Sequence, residues 1–362
     1  MDLPAYKQNA ADTIERLRSL YARQAPDRIF AAFDLPSPTI SEFKLQHAEG
    51  VCEYPDPVQR LRFWDHLLAE RSVLEDDSLP SAYLSELDQG LYSGVLGGEV
   101  RFNCNPDTGW ISSMAAPLLA NWADFGRLRL DPDHPWFQRY AHQLAIFIEG
   151  ARGKFGVSNF ILINGLNFVF ELMGATETYL GLIDCPDLIR QAMVFGFQIN
   201  AEIQRRFFAA GSLVAGGTCS FGVQWMPGRI VSESVDPFHM TSVDCFEDWG
   251  RSITEQIMAE FDGGTTHLHG NGRHLIEAVS SLKGLKAICL GDDKGFAPAI
   301  DELEGLRQRA GDMPLIVPVS FVDFKRRLNR QELTGGTLYL VQGAGTIAEI
   351  NRCMDAVRAY RV

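Results

Sequence analysis

Short apolar runs alternate with helical patterns from about residue 158 onward. Runs with the length and composition of buried strands lie at 160–164, 212–220, 265–269, 285–290, 315–319 and 337–341. Between them, residues 185–209 and 242–261 repeat apolar side chains at spacings of three and four, which predicts helices with one buried face. Repeated strand-then-helix units of this kind are typical of a parallel α/β sheet.

The first third of the chain is less regular. Helical patterns occur near 5–23, 57–71 and 135–152, between segments rich in Asp, Pro and Gly. No linker-like stretch marks a domain boundary.

The predicted parallel sheet can close as a (β/α)8 TIM barrel or stay open and doubly wound. The glycines near 291 and 343 lack GxGxxG spacing, which weakens the dinucleotide-binding alternative.

Charge and cysteine usage narrow the classes of partner. The 362 residues carry a formal net charge of −13 and show no basic cluster, so nucleic acid and anionic membrane surfaces are poor partners. No run approaches the roughly 18 apolar residues of a membrane span. Seven cysteines without a CxxC pair argue against a disulfide framework or a zinc ribbon. We therefore expect a cytoplasmic protein with a small-molecule substrate.

Two histidines give the sharpest chemical signal. His267 and His269 stand two positions apart at the end of a predicted strand, so their side chains should share one face. The carboxyl ends of barrel strands form the catalytic rim, where two imidazoles can bind a divalent metal such as zinc or divide acid and base roles. A hydrogen-bonded pair that only shapes a polar pocket is the alternative.

A second constellation lies in the predicted loop of about 20 residues between 221 and 241. A loop of that length suggests a function. Trp225 could form an apolar wall and Arg229 could hold a substrate carboxylate. Glu233 or Asp236 could act as base or metal ligand, and His239 follows closely. Helix capping by Asp236 and Ser242 is the structural alternative.

Three polar residues elsewhere are candidates for substrate binding. Asn164 ends the first regular strand, and Asp292 belongs to an adjacent pair of carboxylates that closes another, of which only one can enter a pocket. Asp88 lies in the irregular N-terminal third.

Several segments resemble the uroporphyrinogen decarboxylase superfamily, which includes cobalamin-linked methyltransferases. The matching segments are Gly165-Leu-Asn-Phe-Val-Phe-Glu-Leu-Met-Gly174 with Asp184-Cys-Pro-Asp-Leu188, Ser234-Val-Asp-Pro-Phe-His-Met-Thr-Ser242, His267-Leu-His-Gly270 and Gln342-Gly-Ala-Gly345. The resemblance spans roughly residues 75–360. It implies a single domain over 1–362, with 1–75 as an N-terminal extension and 76–362 as a TIM barrel.

At several positions the sequence differs from the pattern of this superfamily. The family's thiol methyltransferases bind zinc through one His and two Cys, but here His269 replaces the first Cys and Ala344 the second. A metal would need His267, His269 and a carboxylate such as Glu233 or Asp236, which is a harder ligand set. The decarboxylase's N-terminal R-Q-A-G-R signature is missing.

The resemblance implies group transfer, with methyl transfer linked to a corrinoid partner protein as the leading expectation and a homodimer as the assembly. In that reading Asp236, His239 and Arg229 are catalytic. A porphyrinogen-type decarboxylase and a non-catalytic small-molecule binder are the alternatives.

Overall fold

A parallel sheet of seven strands forms the centre of the protein. The computed structural model describes residues 3–362. The strands in this part of the chain are Ile29–Phe33 (β1), Val51–Cys52 (β2), Ser81–Tyr83 (β3), Val100–Asn105 (β4), Trp110–Ala115 (β5), Gly156–Asn159 (β6), Ile161–Leu162 (β7), Gly217–Ser220 (β8), Gln224–Pro227 (β9), Val231–Ser234 (β10), Gly264–Leu268 (β11), Leu285–Leu290 (β12), Leu315–Ser320 (β13) and Thr337–Gln342 (β14). The central sheet has the order β1-β14-β13-β12-β11-β10-β7.

Helices connect and cover the strands. The α-helices are Ala10–Tyr21 (α1), Pro38–Gln46 (α2), Pro57–Ala69 (α3), Gln89–Gly94 (α4), Pro135–Ala151 (α5), Gly165–Met173 (α6), Ala175–Asp184 (α7), Pro186–Ala209 (α8), Val243–Cys245 (α9), Arg251–Glu260 (α10), Ile276–Ser280 (α11), Ala299–Ala310 (α12), Phe321–Asn329 (α13) and Ile347–Ala359 (α14). None of these described helices is long and apolar enough to cross a membrane.

Two smaller sheets accompany the central one. β3, β6, β8 and β9 form a sheet of four strands, and β2, β4 and β5 form an antiparallel sheet of three. A single residue separates β6 from β7, so one segment belongs to both the four-stranded and the central sheet. The predicted parallel α/β sheet is confirmed. Closure of its strands into a ring stays a prediction, because the central ladder ends at β1 and β7.

The two faces of the central sheet pack differently. One face contributes side chains such as Val317 and Tyr339 to the large core under the helices. The other face, with Phe30, Ala287 and Leu338, packs against α1 and the β8–β9 hairpin. Burial on both faces explains why these strands are continuous apolar runs instead of alternating ones.

The edge of β1 is closed mainly by side chains, together with one backbone bond from the Asp77 N–H to the Ala31 carbonyl at 2.8 Å. Asp77 Oδ2 accepts the Ala31 N–H at 2.9 Å, and Asp76 Oδ2 accepts the Phe33 N–H at 2.8 Å. The buried Lys7 ammonium lies 2.7 Å from Asp76 Oδ1. We call this junction between β1 and the segment before β3 the carboxylate seam.

Two sequence predictions about the fold were wrong. The region 1–75 is not only an extension, because β1 belongs to the central sheet and pairs with β14. The flanking Asp34-Leu-Pro sequence concealed this run of five apolar residues. The segment 221–241 is not one long loop either. It contains β9 and β10, and β10 lies between β7 and β11 in the central sheet.

Candidate functional site

The ends of β10 and β11 bring one carboxylate and two imidazoles together. Ser234 pairs with His267 in the parallel register, and Asp236 begins the short helical turn that follows β10. His267 Nε2 lies 2.8 Å from Asp236 Oδ1, and His269 Nε2 lies 3.9 Å from the same oxygen. The centres of the two histidine rings are 5.1 Å apart. The structure therefore places His267 and His269 together, as their spacing predicts.

Asp236 is held ionised by these neighbours. Burial alone would raise its pKa, but the contact with His267 and the proximity of His239 and His269 lower the pKa to about 2. An ionised carboxylate can act as a metal ligand or fix the orientation of an imidazole. It does not cap a helix, whereas Ser242 accepts the Cys245 N–H in the predicted capping role.

His269 is oriented by a second carboxylate. Its Nδ1 lies 2.9 Å from Asp293 Oδ1, and Asp293 Oδ2 accepts the Gly270 N–H at 2.6 Å. Burial favours a higher pKa for Asp293, but these two contacts hold its pKa below the ordinary value. A proton on Nδ1 leaves the Nε2 lone pair free on the side of Asp236. This is the arrangement of a metal-binding histidine with an outer-sphere carboxylate.

His239 completes the cluster as a buried, neutral imidazole. Its Nδ1 is 3.6 Å from Asp236 Oδ1, and its Nε2 has no hydrogen-bond partner among the described residues. Burial lowers its pKa to about 4, despite the opposing effect of Asp236. The ring packs closely on Gly272, where a Cβ would lie 2.2 Å from the His239 Cδ2 atom.

The side chains of Asp236, His267 and His269 are close enough together to bind one divalent metal ion. One potential ligand atom each from Asp236, His267 and His269 lies within 4.8 Å of the others. Within residues 3–362 these are the only three His, Cys, Asp or Glu residues grouped in this way. Two imidazoles and a carboxylate suit zinc or iron(II), and three protein ligands leave coordination positions open for a substrate.

We expect Asp293→Asn to weaken metal binding by about 10- to 100-fold, because outer-sphere carboxylates fix the ring and raise the basicity of the ligand. Competition with a chromophoric chelator measures the change. The matched control is Asp292→Asn, since Asp292 binds Arg273 and the Ala299 N–H instead of a histidine. Equal affinities of wild type and Asp293→Asn would contradict the assigned orientation of His269.

The cluster opens into a cavity of about 410 Å³. Asp236, His239, His269 and Asp293 form its polar side. Its other walls are formed by Gln89, Asn167, Phe170, Glu171, Tyr179, Pro237, Met240, Asn271 and Phe296. The described lining contains no Lys or Arg, and its volume suits a small molecule.

Comparison with known proteins provides information on the fold. No family model matches the chain, and no curated protein sequence matches it. A solved structure does. A methyltransferase from Methanosarcina mazei superposes with a TM-score of 0.61 over 96% of this chain and 98% of that one, at 13% sequence identity. At this identity the likeness shows a shared fold and leaves the reaction to be argued from the site.

Glu233 is not positioned as a metal ligand. It precedes Ser234 on β10, so its side chain points to the opposite face from His267, towards the helices. There Asn164, the other predicted pocket residue, donates through Nδ2 to Glu233 Oε2 at 3.1 Å. Both residues are buried away from the cavity. The sequence prediction failed because a strand was taken for a loop.

We expect Glu233→Gln to flatten the dependence of stability on pH. Burial raises the pKa of Glu233 to about 8, although the Asn164 bond opposes this. The contribution of the protonated acid is fully present below its unfolded pKa of about 4.3, and it is lost as the pH rises through about 8. Urea unfolding at about pH 5.5 and about pH 8.5 measures this. A larger loss of stability in the variant than in wild type would contradict the assignment.

Trp225 and Arg229 lie far from the cluster, contrary to prediction. Trp225 is fully buried in β9 and donates through Nε1 to the Val214 carbonyl at 2.8 Å. Arg229 precedes β10, at the amino end of the sheet, and its Nη2 lies 3.2 Å from Asp262 Oδ1. The β8–β9 hairpin reverses the chain, and this reversal carries both residues away from the strand ends that hold His267 and His269.

The remaining two predictions are also corrected. Asp292 does not face the cavity, and its neighbour Asp293 does. Asp88 Oδ1 accepts the N–H groups of Gln89 and Ser113, so this carboxylate holds the start of α4 and not a substrate. The sequence analysis limited the pocket to one of these adjacent carboxylates but assigned it to Asp292 instead of Asp293. β12 neighbours β11, and carboxyl ends of parallel neighbours meet at one edge.

Proposed function

We propose that this protein is a methyltransferase in which Asp236, His267 and His269 hold a divalent metal, zinc in the first instance, that activates a small acceptor molecule. The observation that carries the proposal is the grouping of three ligand atoms within 4.8 Å at the wall of a cavity. The shared fold with a methyltransferase supports it.

The chain's own residues would prepare the acceptor. A metal in this site supplies Lewis acidity, which lowers the pKa of a bound hydroxyl or thiol. Asp236 contributes one negative charge, so the bound ion keeps net positive charge for that purpose. His239, whose pKa burial lowers to about 4, would stay neutral at pH 7 and add no positive charge beside the metal, with its Nδ1 3.6 Å from Asp236 Oδ1. The acceptor would lose its proton to solvent and bond to the methyl group while the bond between methyl and donor breaks, and the electron pair of that bond would stay on the donor.

We propose a corrinoid protein as the partner that supplies the methyl group, and a cytoplasmic homodimer as the working form. The absence of Lys and Arg from the described cavity lining does not favour the decarboxylase alternative, because a porphyrinogen with many carboxylates needs cationic partners. A non-catalytic binder would not require the pairing of His269 with Asp293.

We also propose that the strands close into a (β/α)8 ring. β3 pairs with β6, which continues into β7 after one residue and so connects to β10. On the other side, the carboxylate seam connects β1 to the segment just before β3. With β6 and β7 counted as one strand, these links give the eight strands of the proposed barrel, which are β1, β3, β6 with β7, and β10 to β14.

Free methylcobalamin, as a surrogate donor, tests the function. Metal-loaded protein is mixed with methylcobalamin and a panel of small thiols and phenols, and the loss of the methyl–cobalt bond is followed by absorbance. We expect turnover in wild type and in Asp292→Asn, and none in Asp236→Ala. Turnover that survives Asp236→Ala, or a panel with no methylated product, would overturn the proposal.

A further inference from the structure

A second cavity lies beside the carboxylate seam. It has a volume of about 340 Å³ and is lined by parts of β1, β3 and β14, including Ala32, Tyr83 and Leu340. It shares no described lining residue with the cavity of the histidine cluster. It is therefore a separate place where a small molecule can be enclosed.

Three aromatic side chains form one wall of this second cavity. The ring centres of Trp110 and Phe221 are 4.3 Å apart at an angle of 87°, and Tyr83 lies 5.1 Å from Trp110 and 5.8 Å from Phe221. Phe221 packs against both other rings and is still 51% exposed. Aromatic faces that line a cavity attract organic cations, and methylated ammonium groups above all.

Two of the charged residues in the lining attract each other but make no direct ion pair. Among the described residues, Lys7 is neutralised by Asp76, and Asp107 by Lys44 at 2.7 Å. Asp34 and Arg71, which also line the cavity, form no such pair in the described part of the chain. Arg71 donates through Nη2 to the Phe33 carbonyl, which fixes its guanidinium and leaves further N–H groups for a ligand.

We propose that the second cavity binds a small zwitterion, with a methylated ammonium group between Asp34 and the wall of Tyr83, Trp110 and Phe221, and a carboxylate on Arg71. One fixed positive group and one negative group in the same cavity match a ligand that carries both charges. Asp34 and Arg71 attract each other across the cavity without direct contact, so a ligand with both charges can sit between them. The proposal does not depend on methyl transfer at the histidine cluster.

Calorimetric titration of the whole protein with two probes tests this. The probes are glycine betaine and its longer homologue 4-(trimethylammonio)butanoate. Two comparison compounds each lack one charge: choline has no carboxylate, and 3,3-dimethylbutanoate replaces the ammonium nitrogen of betaine with carbon. We expect at least one zwitterion to bind about tenfold more tightly than either comparison compound.

Variants locate the binding. Asp34→Asn and Trp110→Leu should each weaken the zwitterion about tenfold. Asp107→Asn is the matched control, because this carboxylate lines the same cavity but is paired with Lys44, and it should leave affinity unchanged. His267→Ala should also bind normally, which separates this proposal from the proposed function. Thermal melting verifies that each variant is folded.

Three results would overturn the proposal. The first is no saturable binding of either zwitterion at millimolar concentration. The second is equal affinity for 3,3-dimethylbutanoate, which would indicate a merely apolar pocket. The third is equal weakening by Asp107→Asn and Asp34→Asn, which would indicate general electrostatics.

Discussion

Replacement of His267 by alanine should abolish stoichiometric binding of a divalent metal. Its Nε2 is the ligand atom nearest to Asp236 Oδ1, at 2.8 Å, and without it only one imidazole and one carboxylate remain. The loss of affinity should exceed the roughly 10- to 100-fold cost of removing an outer-sphere partner. Protein purified without chelator, then analysed for metal by mass spectrometry, measures the effect.

His274→Ala is the matched control for this substitution. His274 is an exposed histidine close in sequence, and its Nε2 lies 2.9 Å from the Thr241 carbonyl, away from Asp236. It should retain the metal content of wild type. Metal content that stays stoichiometric in both variants would refute the site, as would wild-type protein that binds no zinc or iron when either is supplied.

Removal of the buried ammonium group should destabilise the whole fold. Lys7→Met leaves the carboxylate of Asp76 fully buried without its closest cation, and such a change costs about 3–5 kcal/mol. The cost is large because Asp76 also holds the Phe33 N–H, so the edge of β1 depends on the same carboxylate. The free energy of unfolding in urea at neutral pH is the measurement.

The control is an ion pair of equal length at the surface. Lys44 lies 2.7 Å from Asp107, but both side chains are mostly exposed, so Lys44→Met should cost no more than about 1 kcal/mol. Similar losses in the two variants would show that burial of the Lys7 pair is energetically unimportant.

The pH dependence of the free energy of unfolding is a second, independent test of the Lys7–Asp76 pair. Burial would raise the pKa of Asp76, but Lys7 and Arg71 outweigh it and hold the pKa below its ordinary value. The stability that its ionisation contributes is therefore present above the unfolded pKa of about 3.9 and is lost as the pH falls through the folded pKa. Lys7→Met removes the main opposing interaction, so the acid loss in stability should shrink or reverse.

The chemistry of the β11 end could be predicted from sequence because it depends on local rules. Alternation along a strand places His267 and His269 on one face, and the Gly-rich sequence that follows marks the end of a buried strand. The strands at 285–290, 315–319 and 337–341 were also predictable, since each is an uninterrupted apolar run between helical patterns.

The errors have a common physical origin in the segment 221–241. β10 is a strand of four residues that includes Glu233 and two serines, so its apolar content is too low to show its buried position. Once this strand is recognised, the alternation of side chains along it places Glu233 on the face away from the cavity. Arg229 precedes the strand, so it lies at the amino end of the sheet, opposite to the histidines. The contact between an Asp236 oxygen and the His267 imidazole depends on the pairing of β10 with β11, and this register could not be predicted from either strand alone.

The carboxylate seam has a consequence for how the sheet opens. Backbone N–H groups of Ala31 and Phe33 are protected from solvent by two ionisable side chains and not by another strand. Loss of these two side-chain contacts would let both N–H groups exchange with heavy water without separation of β1 from β14. Because the pKa of Asp76 is held below its ordinary value, only strong acid should loosen this edge, and the second cavity beside it would then open on that side as well.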